Sequence, residues 1–168
     1  NKDELLLIDI GAEYKHYAAD ITRTFPISGK FTPAQKEIYE LVLKAQEAAI
    51  TAAKPGIKFN ELHAVSERVL GEGLLALGLI NKAEPEQIKS YYLHFLGHML
   101  GLATHDTATY HKAFKQDMVY TVEPGIFVRE DDVKEKAWYL ALDDKAREGI
   151  DRALARYAGI GVRIEDVI

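Results

Sequence analysis

The chain has 168 residues, 48% apolar and 28% charged, an ordinary globular composition with length enough for one sizeable core. A formal charge of -5 gives no electrostatic case for nucleic acid or an anionic membrane as partner, and no apolar run nears the ~18 residues that a membrane span needs. No signal-peptide pattern is visible, and the absence of cysteine removes disulfides, thiolate metal sites and a cysteine nucleophile, which suits a reducing, cytoplasmic setting.

In chain order, Leu5 to Ile10 and Tyr17 to Phe25 read as a β-hairpin. A turn at Tyr14-Lys15 would set Asp9 directly opposite Asp20, with Cβ atoms about 4.5–5.5 Å apart. Thr32 is then the expected N-cap of a long helix, with Pro33 at its first position and Gln35 completing a capping box. Its apolar stripe is Ile38, Leu41, Val42, Ala45, Ala48, Ala49 and Ala52, and Pro55-Gly56 ends it. Asn60 is expected to cap a second helix with the stripe Leu62, Val65, Val69 and Leu74, followed by a polar helical connector to Tyr92. Strands are expected at Met118 to Val122, Ile126 to Val128 and Gly161 to Ile168, with a turn at Pro124-Gly125 and a helix from Asp144 to Tyr157. Strands and helices are grouped rather than alternating, so the fold class is α+β. No repeat or linker divides the chain.

Two like-charged aspartates facing each other would repel, and destabilise the hairpin unless a cation lay between them. The plain alternative is a pair of solvated strand-end residues. In "LHFLGHMLGLATHD", His94, His98 and His105 fall close together among Gly97 and Gly101, residues that let the backbone approach a ligand. Imidazole is both a metal ligand and a proton shuttle, although any one of these histidines could equally be a core or surface residue. His63 and His111 stay in that second class.

Glu123 stands between an apolar strand and a Pro-Gly turn in "YTVEPGIFV". In "GIGVRIEDVI", Ile160, Val162 and Ile164 take one strand face and leave Arg163 and Glu165 on the other. Taken together, Asp9, Asp20, His98, Glu123 and Glu165 form an oxygen-rich donor set suited to hard or borderline divalent ions such as manganese. Four carboxylates share one core only where cations compensate them, and two metal ions supply that charge.

In order and spacing these motifs resemble the pita-bread metallopeptidases of the methionine aminopeptidase superfamily. "DIGAEYKHYAADITRTFPISGKFTPAQKEIYELVLKAQEAAI", "HFLGHMLGLATHD", "YTVEPGIFV" and "GIGVRIED" are specifically similar to the Xaa-Pro aminopeptidase (aminopeptidase P) and prolidase branch. The resemblance covers nearly the whole chain. It implies a curved antiparallel sheet covered by helices and a hydrolase that cleaves between an amino-terminal residue and a following proline. The attack is by a hydroxide bridging two divalent ions, manganese first, with cobalt, zinc or iron as alternatives. By the same resemblance Asp9, Asp20, His98, Glu123 and Glu165 are the metal ligands, with Asp20 and Glu165 bridging. Glu123 is also the general base, His94 and His105 contact the substrate, and Arg163 hydrogen-bonds beside the metals.

Two departures from that pattern stand out. Phe95 follows His94 where the family has glycine, putting a ring where close packing is favoured. The stretch from Arg129 to Ala158 is long for its place, and its helix is open to three uses: a lid, an oligomer contact or a surface excursion. The closing strand has no evident partner in the sequence. Residues 1–168 are therefore expected to be the metal-bearing portion of a catalytic domain cut at both ends, acting as a homo-oligomer or completed by a further chain segment. The rivals are a dipeptide-only prolidase, a methionine aminopeptidase and, outside enzymes, an inactive pita-bread binding module, which would be expected to carry broken ligands.

Overall fold

In the computed structural model, which describes residues 4–107 and 109–168, Leu5–Ile10 (β1) pairs antiparallel with Ile21–Pro26 (β4). The short ribbon of Glu13–Tyr14 (β2) and Tyr17–Ala18 (β3) tops this pair. The hairpin turns at Lys15-His16, one residue later than expected. Both residues take positive φ, 51° and 67°, as a two-residue turn matched to strand twist requires. Asp9 therefore faces Thr22 rather than Asp20. The shift displaces partners by two residues and so keeps the side-chain face, which leaves Asp20 diagonal to Asp9 on the same surface.

Pro33–Ala52 (α1) starts on the expected capping box. Gln35 N donates to Thr32 Oγ1 (3.3 Å), and Thr32 N donates to Gln35 Oε1 (2.9 Å). Its buried face holds Ile38, Leu41, Val42, Ala45 and Ala49, but also the polar Gln35 and Gln46. Phe59–Ala76 (α2) begins before Asn60, because Glu61 Oε2 accepts the backbone N–H of Lys58 (2.7 Å) and closes the first turn there. Leu62, Val69, Leu70 and Leu74 pack α2 onto α1, with Val65 half-buried.

The expected helical connector is helical only at Pro85–Ile88 (α3). It is held by Gln87, whose Oε1 accepts from Asn81 N (3.1 Å) and Lys82 N (3.2 Å). It is also less polar than expected, since Leu79, Ile80, Ile88, Tyr91 and Tyr92 are buried. Thr121–Val122 (β5) is shorter than the predicted strand because the chain still turns at Gln116 and Asp117 (φ 67°).

Gly125–Phe127 (β6) pairs with Gly161–Arg163 (β7), and β5 pairs with Asp166–Val167 (β8). Between β7 and β8, Glu165 bridges to Thr22 of β4. The closing strand thus has partners after all, and it changes them at Ile164-Glu165, tying three ribbons together at one point.

Glu130–Lys134 (α4), Ala137–Leu140 (α5) and Asp144–Tyr157 (α6) fill the stretch before β7. It is neither lid nor excursion. Val133, Trp138, Tyr139, Ile150, Ala153, Leu154 and Tyr157 all enter the main core, and Tyr157 and Arg156 both hydrogen-bond to Glu37 on α1. The result is α+β: antiparallel ribbons covered by helices. No helix among the described residues is long and apolar enough to cross a membrane.

Candidate metal centre

His98 is fixed from its backbone outward. Its N–H donates to Thr121 Oγ1 (3.0 Å) and its carbonyl accepts from Thr121 N (2.9 Å). Gly97 permits this approach, since a Cβ there would lie 2.1 Å from Thr121 O. The glycine therefore serves the close approach of two backbone segments. Gly101 likewise makes room for the Asp106 carboxylate, 2.1 Å from where its Cβ would be. His98 Nδ1 lies 3.1 Å from Met99 O. Donation there leaves Nε2 as a bare lone pair, the orientation used by metal-binding histidines.

That Nε2 faces Asp20 Oδ2 and Glu123 Oε1, each at 3.4 Å. One ligand atom each from Asp20, His98 and Glu165 lie within 4.8 Å of one another. Asp20 comes from the end of the hairpin, Glu123 from just after β5 and Glu165 from the partner-changing step, so the ribbons meet where the carboxylates do. Glu165 is 1% exposed. Its Oε2 accepts from Thr22 Oγ1 (2.6 Å), while its Oε1 is buried with no hydrogen-bond partner.

The electrostatics show the cost of this assembly. Burial pushes the Glu123 carboxyl up to about 7, only partly opposed by Arg163 and by the hydrogen bond from Thr121. Burial does the same to Glu165, up to about 7, and the neighbouring carboxylates add to it. Asp20 is raised first by burial and then by Asp9. Four carboxylates meet one guanidinium, Arg163, whose contacts are to Asp9 and, at 3.7 Å, to Glu123. Divalent cations would supply the missing positive charge and take up the orphaned Glu165 oxygen, so the residues present fit a metal site.

Of the five expected ligands, Asp20, His98, Glu123 and Glu165 come together directly. Asp9 sits at the margin, its carboxylate turned to Arg163 but close enough to Asp20 to raise it. Arg163 and Glu165 share a face as expected, and Arg163 Nε donates to Thr22 Oγ1 (3.3 Å). His105 is exposed, its ring set edge-on to His98 with centroids 4.4 Å apart, and it borders an open cavity of about 450 Å³ shared with Asp9 and Asp20.

His94 is not among the mutually close ligand atoms. It packs edge-on to Tyr92 and Phe127, with Nε2 buried and unpartnered. Phe95 does not crowd it. The ring turns outward, 59% exposed, and stacks on His63 at 4.6 Å. His63 itself accepts the Leu96 N–H (3.2 Å), which accounts for it as a packing residue, and His111 is exposed.

Thr22 and Thr121 were missed in the sequence. Each hydroxyl orients a carboxylate, Glu165 and Glu123 respectively. The available signal was the alternation in "ITRTFP", which places Thr22 and Thr24 on the inward face of a strand.

The sequence pattern of metallopeptidase family M24 matches residues 1–168. An Xaa-Pro aminopeptidase of Haemophilus influenzae is 42% identical over 99% of this chain and 36% of its own length. One of Escherichia coli is 39% identical over 98% of this chain and 35% of its own. Among solved structures, Pseudomonas aeruginosa aminopeptidase PepP superposes with a TM-score of 0.79 at 39% identity, covering 99% of this chain and 36% of that one. Proline aminopeptidase P II from Yersinia pestis gives 0.79 at 35% identity, with the same coverage. The chain thus spans little more than a third of the length of these relatives. A match along its whole length and a shared pita-bread fold place the chain in metallopeptidase family M24, beside relatives named Xaa-Pro aminopeptidase.

Proposed function

We propose that this chain is the metal-bearing portion of an Xaa-Pro aminopeptidase that hydrolyses the bond between an amino-terminal residue and a following proline. The observation that carries the reading is the convergence of ligand atoms from Asp20, His98 and Glu165, the last of which also has a buried carboxylate oxygen without a hydrogen-bond partner. The proline specificity comes from likeness to relatives named Xaa-Pro aminopeptidase. Asp9, Asp20, His98, Glu123 and Glu165 would hold two divalent ions, with manganese the first choice for so oxygen-rich a set. Once bound, the ions supply Lewis-acid polarisation of the scissile carbonyl and make water a nucleophile at neutral pH.

The remaining work falls to this chain. Glu123, steadied by the Thr121 hydroxyl at 3.2 Å, takes a proton from the attacking water and returns it to the proline nitrogen as it leaves. Arg163 holds Asp9 and favours the ionised form of Glu123. His105, exposed beside the open cavity, is placed to contact the peptide and donate to the developing oxyanion. His94 is assigned to the substrate side by the family resemblance; its buried Nε2 has no hydrogen-bond partner. The cysteine-free composition is compatible with the cytoplasm as the setting.

The test is release of the amino-terminal residue by the manganese-loaded chain from Xaa-Pro dipeptides and from tripeptides with proline second. Cleavage of tripeptides supports the aminopeptidase, and cleavage of dipeptides alone supports a prolidase. Hydrolysis of neither by a metal-saturated chain would contradict the reading.

A further inference from the structure

The strands that carry the carboxylates are themselves held by a separate set of side chains. Gln46 on α1, 2% exposed, donates through its one Nε2 group to Val122 O (3.3 Å) and to Asp166 Oδ2 (3.0 Å). Val122 immediately precedes Glu123 and Asp166 immediately follows Glu165, and these two neighbours face each other across the β5–β8 pair. Arg23 closes the frame from β4. Its NH2 donates to Asp166 Oδ1 (2.6 Å), and its NH1 donates to Glu165 O (2.6 Å) and Thr22 O (2.9 Å). Both oxygens of Asp166 are therefore engaged, one by a helix and one by a strand. Backbone carbonyls in all three carboxylate-bearing segments of the junction are gripped at the same time.

Stability alone is a poor reason for this arrangement. Hydrogen bonds to Val122 and Asp166 compensate the desolvation of the buried Gln46 amide but leave only a modest net gain. The Arg23–Asp166 pair is more than a third exposed on both sides, where an ion pair adds little to stability. What the frame does determine is spacing. We propose that Gln46, Asp166 and Arg23 are positioning residues that set the separation of Glu123 and Glu165, and through it the affinity of the centre for divalent ions. The inference rests on the metal function proposed above.

The test is a manganese titration of the chelator-stripped chain, followed by calorimetry and by the electron paramagnetic resonance of free Mn²⁺. The variants are Gln46→Met, Arg23→Met and Arg23→Lys. Gln46→Met and Arg23→Met should raise the Kd for manganese about 10-fold or more. Arg23→Lys should lose less, because it keeps the charge toward Asp166 while giving up the forked grip on the carbonyls. Melting temperatures of the metal-free forms are read beside the titration. Lowered melting temperatures with an unchanged Kd would reduce these residues to ordinary structural ones and overturn the inference. Should Gln46→Met not fold, the two Arg23 variants decide. A parent chain that binds no manganese overturns the metal function and this inference together, whereas a parent that binds beside variants of equal affinity overturns the inference alone.

Discussion

Glu123→Gln should lower kcat for an Xaa-Pro peptide by a factor of about 10²–10⁴ at saturating manganese, with KM changed far less. Glutamine has the same shape, and its amide oxygen still accepts the Thr121 hydroxyl, so the local fold has no reason to move. What it loses is the basic oxygen that takes and returns a proton. Glu123 also stands among the ligands, 3.4 Å from His98 Nε2, so the variant is expected to bind metal more weakly, and the assay must be run at a concentration that restores occupancy. A kcat within about threefold of the parent, with metal bound, would remove Glu123 from the proton transfer.

The metal-free chain should lose stability as pH rises from 5 to 8. Glu123 and Glu165 are both raised by burial to about 7 in the folded chain, while in the unfolded chain they titrate near the ordinary value of about 4.3. Between those values the folded state binds more protons, so stability falls as pH rises. The contribution is fully present below the unfolded pKa and is lost on passing through the folded one; Asp20 acts in the same direction, while His63 and His94, both lowered by burial, offset part of the loss. Each pH unit separating the folded from the unfolded value is worth about 1.4 kcal/mol. A loss of about 2 kcal/mol or more is therefore expected, or roughly 5 °C in Tm for a chain of this size. Scanning calorimetry with a chelator at pH 5 and pH 8 measures it directly. Saturating manganese should raise Tm more at pH 8 than at pH 5, because the carboxylates must be ionised to bind. A metal-free Tm that is flat or rises over this range would contradict the picture of buried, uncompensated carboxylates.

Local signals were easy to read in the sequence. The Thr32 capping box and the helix from Asp144 to Tyr157 appear as expected because each is specified within a few residues. The hairpin turn was not legible. Lys15 and His16 adopt positive φ without glycine or asparagine to announce it. The error moved Asp9 from Asp20 to Thr22, yet the two-residue shift preserved the face, and so the acidic pairing survived as a diagonal. The closing strand was harder still, since its three partners lie far away in the chain and only folding brings Thr22, Val122 and Gly125 alongside it.

The carboxylates and His98 were legible as a set because acidic residues in apolar strands are conspicuous. Thr22 and Thr121 were not, because threonine is ordinary in a strand. Gln46 did leave a trace, a polar residue in line with Val42 and Ala49 on the buried face of α1. The family resemblance assigns Arg163 a place beside the metals; its contacts in the fold are to Asp9 and Glu123. For His94 the resemblance carries more than the geometry does.

The central claim is that these carboxylates assemble into a two-metal centre, and counting metal tests it most directly. The purified chain would be loaded with manganese, freed of excess and analysed for bound ions per chain beside an Asp20→Ala control. The account predicts about two ions per chain and a clear loss in the control. A chain that retains no manganese, or an Asp20→Ala chain that retains as much as the parent, would contradict it.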